Sequence, residues 1–151
     1  MQNRYNILKT RHEKEFDELP IHFAFGDEQY KKMLNKLNVK KEQIVKVSKA
    51  GGYMLRDDFS KYKEMSERHY NEIHDEIKND KDGSGFIKDM FYSELCNHEY
   101  GYTMDEEETL ESLSISYNDL KENINLQQGL ELAKQKFIEK EEQEDEETLE
   151  Q

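Results

Sequence analysis

The sequence predicts an α+β fold that is mainly α-helical, a single domain with a minor antiparallel β-sheet. Three observations carry that expectation. Every long run of regularly spaced apolar residues has the three- and four-residue spacing of a helix face. Only three short segments, Ile21 to Phe25, Ile44 to Val47 and Tyr53 to Leu55, alternate or concentrate β-branched and aromatic residues as strands do. The chain has 151 residues, of which 34% are hydrophobic and 38% charged, enough for one domain with an economical core under a heavily charged surface.

Tyr5, Leu8, His12, Phe16 and Leu19 share one face of a first helix that must stop before Pro20. Ile21, Phe23 and Phe25 alternate up to Gly26 and form a short strand. Asp27 is placed to cap the next helix, whose Tyr30, Met33, Leu34 and Leu37 make one buried stripe. Ile44 to Val47 should pair with Tyr53 to Leu55 across the Gly51-Gly52 turn, giving a three-stranded sheet. Asp57 or Asp58 then caps a long helix with Phe59, Tyr62, Met65, Tyr70, Ile73 and Ile77 inward, broken by the loop NDKDGSG. Phe86, Ile87, Met90, Phe91 and Leu95 make the following helix the most apolar segment, which belongs at the centre of the core. Thr103 with Glu106, and Ser116 with Asp119, have capping-box spacing and start two short helices. A last helix carries Leu126, Leu130, Ala133 and Phe137. The domain is expected to span residues 1–138, with residues 139–151, eight acids and one lysine, as an acidic disordered tail.

Charge is unevenly spread. Residues 1–63 hold 14 basic and 9 acidic side chains, net +5, whereas residues 64–151 hold 8 and 26, net −18. Seven lysines (Lys31, Lys32, Lys36, Lys40, Lys41, Lys46, Lys49) cluster with Glu42 as their only acid. Direct nucleic-acid binding is not expected, because the net charge of −13 repels a polyanion and no arginine-rich or aromatic-interleaved motif accompanies the lysines. No membrane-spanning run and no signal-like leader is visible. With Cys96 as the single cysteine, a cytoplasmic protein is expected.

The chemistry-bearing motifs are few. Asp80, Asp82, Ser84, Gly83 and Ile87 occupy positions of an EF-hand calcium loop, but the residue at its twelfth position is Phe91, where a bidentate carboxylate is required. A helix-to-helix turn with Ser84 as cap is the simpler reading, and a degenerate EF-hand-like metal site is the alternative. His69 and His74 point about 140° apart on a helix, so they do not clasp one metal. Glu94 and His98 lie one turn apart, either as a helix-end hydrogen bond or as the acid/base pair of a metal-dependent hydrolase. Cys96, within an apolar helix, reads as a core residue. No phosphate-cradling loop, nucleophile elbow or H-E-x-x-H motif occurs, so no enzyme, cofactor or metal is expected.

The strings FAFGDEQY (Phe23 to Tyr30), KAGGYMLRDD (Lys49 to Asp58) and GFIKDMFYSELCNHEYGYT (Gly85 to Thr103), followed by an acidic helix, resemble a family of small acidic proteins of unassigned function from phages and mobile elements of Gram-positive bacteria. That resemblance implies a protein that occupies a host partner, such as a defence protein or another nucleic-acid-binding protein. The functional expectation is a non-catalytic interaction module or inhibitor. Its contact surface for a basic protein is expected to comprise Tyr100, Tyr102, Asp105, Glu106, Glu107, Glu108 and Glu111, with Tyr92 nearby.

Overall fold

A computed structural model describes residues 2–150. Eight α-helices and a three-stranded antiparallel sheet occur among them, so the class is α+β and mainly helical. The chain packs as two compact units, residues 11–71 on one hand and residues up to 10 with those from 72 onward on the other.

The unit of residues 11–71 holds the end of α1 (Arg4–Asp17), β1 (His22–Phe23), α2 (Asp27–Leu37), β2 (Ile44–Ser48), β3 (Gly52–Leu55) and the start of α3 (Phe59–Asn79). The strands lie in the order β1-β3-β2, with His22 opposite Tyr53, Phe23 opposite Gly52 and Ile44 opposite Leu55. Gly51 closes the β2–β3 turn at φ +86, and a Cβ there would stand 2.8 Å from the Ala24 carbonyl oxygen, so glycine is required twice over. The stripe of α2 packs as its spacing predicts. Met33 is buried with Ala24 and Ile44, and Tyr30, Leu34, Leu37, Val39, Tyr53 and Leu55 surround them. Asp27 is not the cap of α2: Gly26 holds that position at φ 90, and Asp27 lies in the first turn with Glu28, where the helix dipole favours carboxylates. Asp57 and Asp58 likewise sit in a 3₁₀ turn that runs into α3.

In the other unit, α4 (Phe86–Asn97) is the centre of the core. Its Phe86, Ile87, Met90, Phe91 and Leu95 are all 1% exposed or less. Leu126, Leu130 and Ala133 of α8 (Ile124–Leu149) belong to the same cluster, as do Tyr5 of α1, Leu110 of α6 (Glu107–Ser112) and Leu120 of α7 (Tyr117–Glu122). Between α4 and α6 lies the one-turn helix α5 (Tyr100–Thr103). The start of α4 is capped from a distance: the Asp80 carboxylate accepts N–H bonds from Gly83 (3.1 Å), Gly85 (3.1 Å) and Ile87 (2.9 Å). Ser84 is therefore not the cap, and its hydroxyl donates to Asp82 at 2.7 Å instead.

The box of Ser116 and Asp119 forms as spaced, with Asp119 N–H donating to Ser116 Oγ and Ser116 N–H to Asp119. The Thr103–Glu106 box does not. Thr103 ends α5, its hydroxyl accepts the Asp105 N–H, and the Asp105 carboxylate accepts the Glu107 N–H at the start of α6. Cys96 is exposed, because Phe91 and Leu95 fix the inward face of α4 and the next residue turns outward. The acidic segment continues α8 as helix to Leu149, with every described side chain from Ile138 onward exposed. Extending a helix already anchored by packing avoids the cost of nucleation, and Glu, Lys and Gln are good helix formers.

Candidate functional site

Glu94 lies 4% exposed on α4 and gathers donors from two other elements, α1 and α6, as well as from the end of its own helix. The Tyr5 hydroxyl donates at 2.8 Å, the Lys9 ammonium at 2.9 Å and the Ser112 hydroxyl at 3.4 Å, with His98 Nε2 at 3.2 Å one turn along α4. Burial pushes the carboxyl up, but the Lys9 and Tyr5 hydrogen bonds and the charges of Lys9 and His98 outweigh it and hold Glu94 below its ordinary value. A carboxylate so fully bonded is a poor proton acceptor. Its chemistry here is to tie α1 and α6 to α4.

The calcium-loop match meets a similar fate. The Asp80 oxygens are occupied by backbone N–H groups, and Phe91 at the twelfth position is a core side chain. Among the described residues no group of three or more His, Cys, Asp or Glu is arranged to hold a metal ion.

The sequence shows a second cluster only in separate parts, His12 on the apolar face of α1 and His69 on the long helix, with no spacing that pairs them. In the unit of residues 11–71 its ring stacks on His69, centroids 3.7 Å apart and planes 9° from parallel. Glu15 accepts from Arg68 at 2.7 Å and lies 2.9 Å from His69 Nε2. Those two hydrogen bonds lower Glu15 to about 2. Burial, together with the neighbouring His69 and Arg11, lowers His12 to about 4 from an ordinary 6.5. A histidine with a depressed folded-state value binds fewer protons when folded than when unfolded. Its contribution is therefore intact above pH 6.5 and is lost as pH falls toward 4. The melting temperature is expected to drop across that window, and a His12→Gln variant to show a flatter slope. An unchanged slope would assign the pH dependence to another group.

The residues expected to contact a partner divide into two sets. Tyr100 is 5% exposed and packs edge-on against Phe137, ring centroids 5.3 Å apart, so it is a core side chain and not part of a contact surface. Tyr92 is half-buried, with the Lys136 ammonium 4.2 Å from its ring centre. Glu106 is half-buried and paired with Lys134 at 3.3 Å. Tyr102, Asp105, Glu107, Glu108 and Glu111 are exposed, Tyr102 to 90%. Met104 and Tyr117, not singled out by sequence reasoning, join them at 59% and 56% exposed. Partial desolvation and the carboxylates of Glu106, Asp105 and Glu107 push the Tyr117 hydroxyl above its ordinary value, which places that ring among the acids. The backbone of the segment is strained as well. Glu99 and Met104, flanking α5, both sit at φ 53 in the left-handed region that favours glycine.

The lysine cluster belongs to the other unit. Lys31, Lys32, Lys36, Lys40, Lys41, Lys46 and Lys49 are all exposed, and none makes an ion pair among the described residues.

What the fold and these sites define is a helix-rich α+β protein with two oppositely charged exposed regions and buried polar clusters that serve as internal ties. The chain belongs to a family of unknown function, DUF7659, which matches residues 4–136. No curated protein and no solved structure matches it. Among the described residues no helix is long and apolar enough to cross a membrane.

Proposed function

We propose that this chain is a non-catalytic protein-interaction module that binds a basic protein surface through the acidic segment around α6. The observation that carries this reading is the exposure of Tyr102, Met104 and Tyr117 beside the exposed carboxylates Asp105, Glu107 and Glu108. Tyrosine and methionine are favoured at the centres of protein interfaces, and surrounding charge steers association and selects the partner. The strained turns at Glu99 and Met104 fit such a role, since strain persists where function needs a particular presentation. In its finer form the module is an inhibitor of a nucleic-acid-binding or defence protein, its carboxylates standing where phosphates would bind. A phage or mobile-element setting rests on the sequence resemblance.

The test is affinity capture from a host lysate at low and high salt, with the captured proteins identified. A basic partner should be recovered at low salt and released as the charges are screened. Joint reversal by Asp105→Lys, Glu107→Lys and Glu108→Lys should abolish capture, and Tyr117→Ala should weaken it at least tenfold with the fold intact. Capture indifferent to both changes would refute this surface.

A further inference from the structure

The lysine-bearing unit presents a groove of about 500 Å³ lined by Ile21, His22, Phe23, Gln29, Lys32, Met33, Lys36 and Leu37, between β1 and α2. β1 is an edge strand, bonded to β3 on one side only. Because the Ala24 N–H donates to Gly51 O at 2.9 Å, the alternation of an antiparallel ladder turns the Phe23 N–H and C=O away from β3. The next outward N–H, that of Phe25, is taken by Gln29 Oε1 at 2.7 Å, so the first turn of α2 closes the far end of this edge and the open pair is that of Phe23. Phe23 itself is 57% exposed. Lys32 and Lys36 are four apart on α2 and share a helix face, with side-chain origins about 6 Å from each other.

We propose that this groove receives an acidic, extended polypeptide segment, which adds to the β1 edge and places alternate carboxylates on Lys32 and Lys36. Two features select that occupant. An open pair of backbone groups at a sheet edge is matched by another polypeptide backbone, the basis of strand addition. Residues two apart in a strand lie about 6.7 Å from each other on one face, which matches the spacing of the two lysines. Met33 and Leu37 line the groove beside the lysines and provide apolar surface for the methylene stems of the carboxylate-bearing side chains, and Lys32 and Lys36, without ion pairs among the described residues, supply the complementary charge. This site lies in a different unit from the acidic segment around α6, and neither assignment depends on the other.

Fluorescence anisotropy with the full chain tests it, using a short labelled peptide of alternating valine and glutamate. Saturable binding is expected, weakened at least tenfold by Lys32→Glu with Lys36→Glu. Lys46→Glu with Lys49→Glu, which keeps the same total charge but alters residues outside the groove, should change affinity less than threefold. Methylating alternate backbone nitrogens of the peptide should abolish binding, since that removes the donors of strand pairing while keeping every side chain. Both lysine pairs are exposed, and unchanged melting temperatures will show that the variants fold. Equal loss in the two reversals, or full binding by the methylated peptide, would reduce the site to diffuse charge attraction and overturn the proposal. Displacement of the peptide by single-stranded oligothymidylate at lower concentration than unlabelled peptide would also overturn it, in favour of a nucleic-acid ligand.

Discussion

Phe91→Ala is expected to destabilise the unit built on α4 by about 3–5 kcal/mol, the cost of removing a fully buried aromatic side chain and leaving a cavity. Phe91 is 0% exposed, and it is flanked on α4 by Met90 and Leu95, which are equally buried. Little can collapse into the space, because the neighbouring side chains come from regular helices whose backbones are held by their own hydrogen bonds. Chemical denaturation followed by circular dichroism will measure the loss. A change below about 1 kcal/mol, the range of ordinary surface substitutions and mild repacking, would show that α4 is not the centre of this core.

Gly83→Ala is expected to cost on the order of 3 kcal/mol or more, through backbone strain and overpacking together. Gly83 holds φ +78, a conformation that alanine adopts only with strain, and a Cβ there would run into the Asn125 carbonyl and stand 2.7 Å from the Gly129 backbone nitrogen. The obstacle is the main chain of α8, which cannot rotate aside as a side chain can. Gly129 reports the same contact from the other side, since its Cβ would meet Ile87 and stand 2.9 Å from the Gly83 carbonyl oxygen. Gly101→Ala is the informative contrast. There the nearest obstacle is the end of the exposed Glu141 side chain, which can swing away, so a loss below about 1 kcal/mol is expected. Thermal melts of the two single variants compare them directly. Equal tolerance at Gly83 and Gly101 would mean that the loop does not seat against α8.

Much of the architecture follows from local pattern. The helical spacing of Tyr30, Met33, Leu34 and Leu37, the apolar density of α4, the Gly51-Gly52 hairpin and the box of Ser116 and Asp119 each depend on residues a few positions apart, and each forms as the pattern predicts. Where nearby groups compete for the same backbone, pattern misleads. Thr103 and Ser84 have suitable cap spacing, but Asp105 and Asp80 reach the orphan N–H groups first, and a carboxylate is the stronger acceptor. Periodicity marks the apolar side of α4 while leaving open where its edge falls, so Cys96 reads as core and is exposed. Tyr100 reads as part of a contact surface and is buried, because Phe137, 37 residues later in the chain, comes back against it.

The functional residues depend most on distance along the chain. The exposed acids of α6 are legible as composition, whereas Tyr117 joins them only because the turn between α6 and α7 brings it back toward Asp105 and Glu107. His12 and His69 are separated by 57 positions, and no spacing rule pairs them. Glu94 takes its donors from Tyr5, Lys9, His98 and Ser112, of which only His98 is a sequence neighbour. By itself the sequence determined which stretches coil, which face of each coil avoids water and how charge divides along the chain, because those are properties of neighbouring residues. Only the tertiary structure decided which carboxylates are consumed as internal ties and which remain free in solvent, because that depends on which distant donors the packing of apolar faces carries within hydrogen-bonding reach.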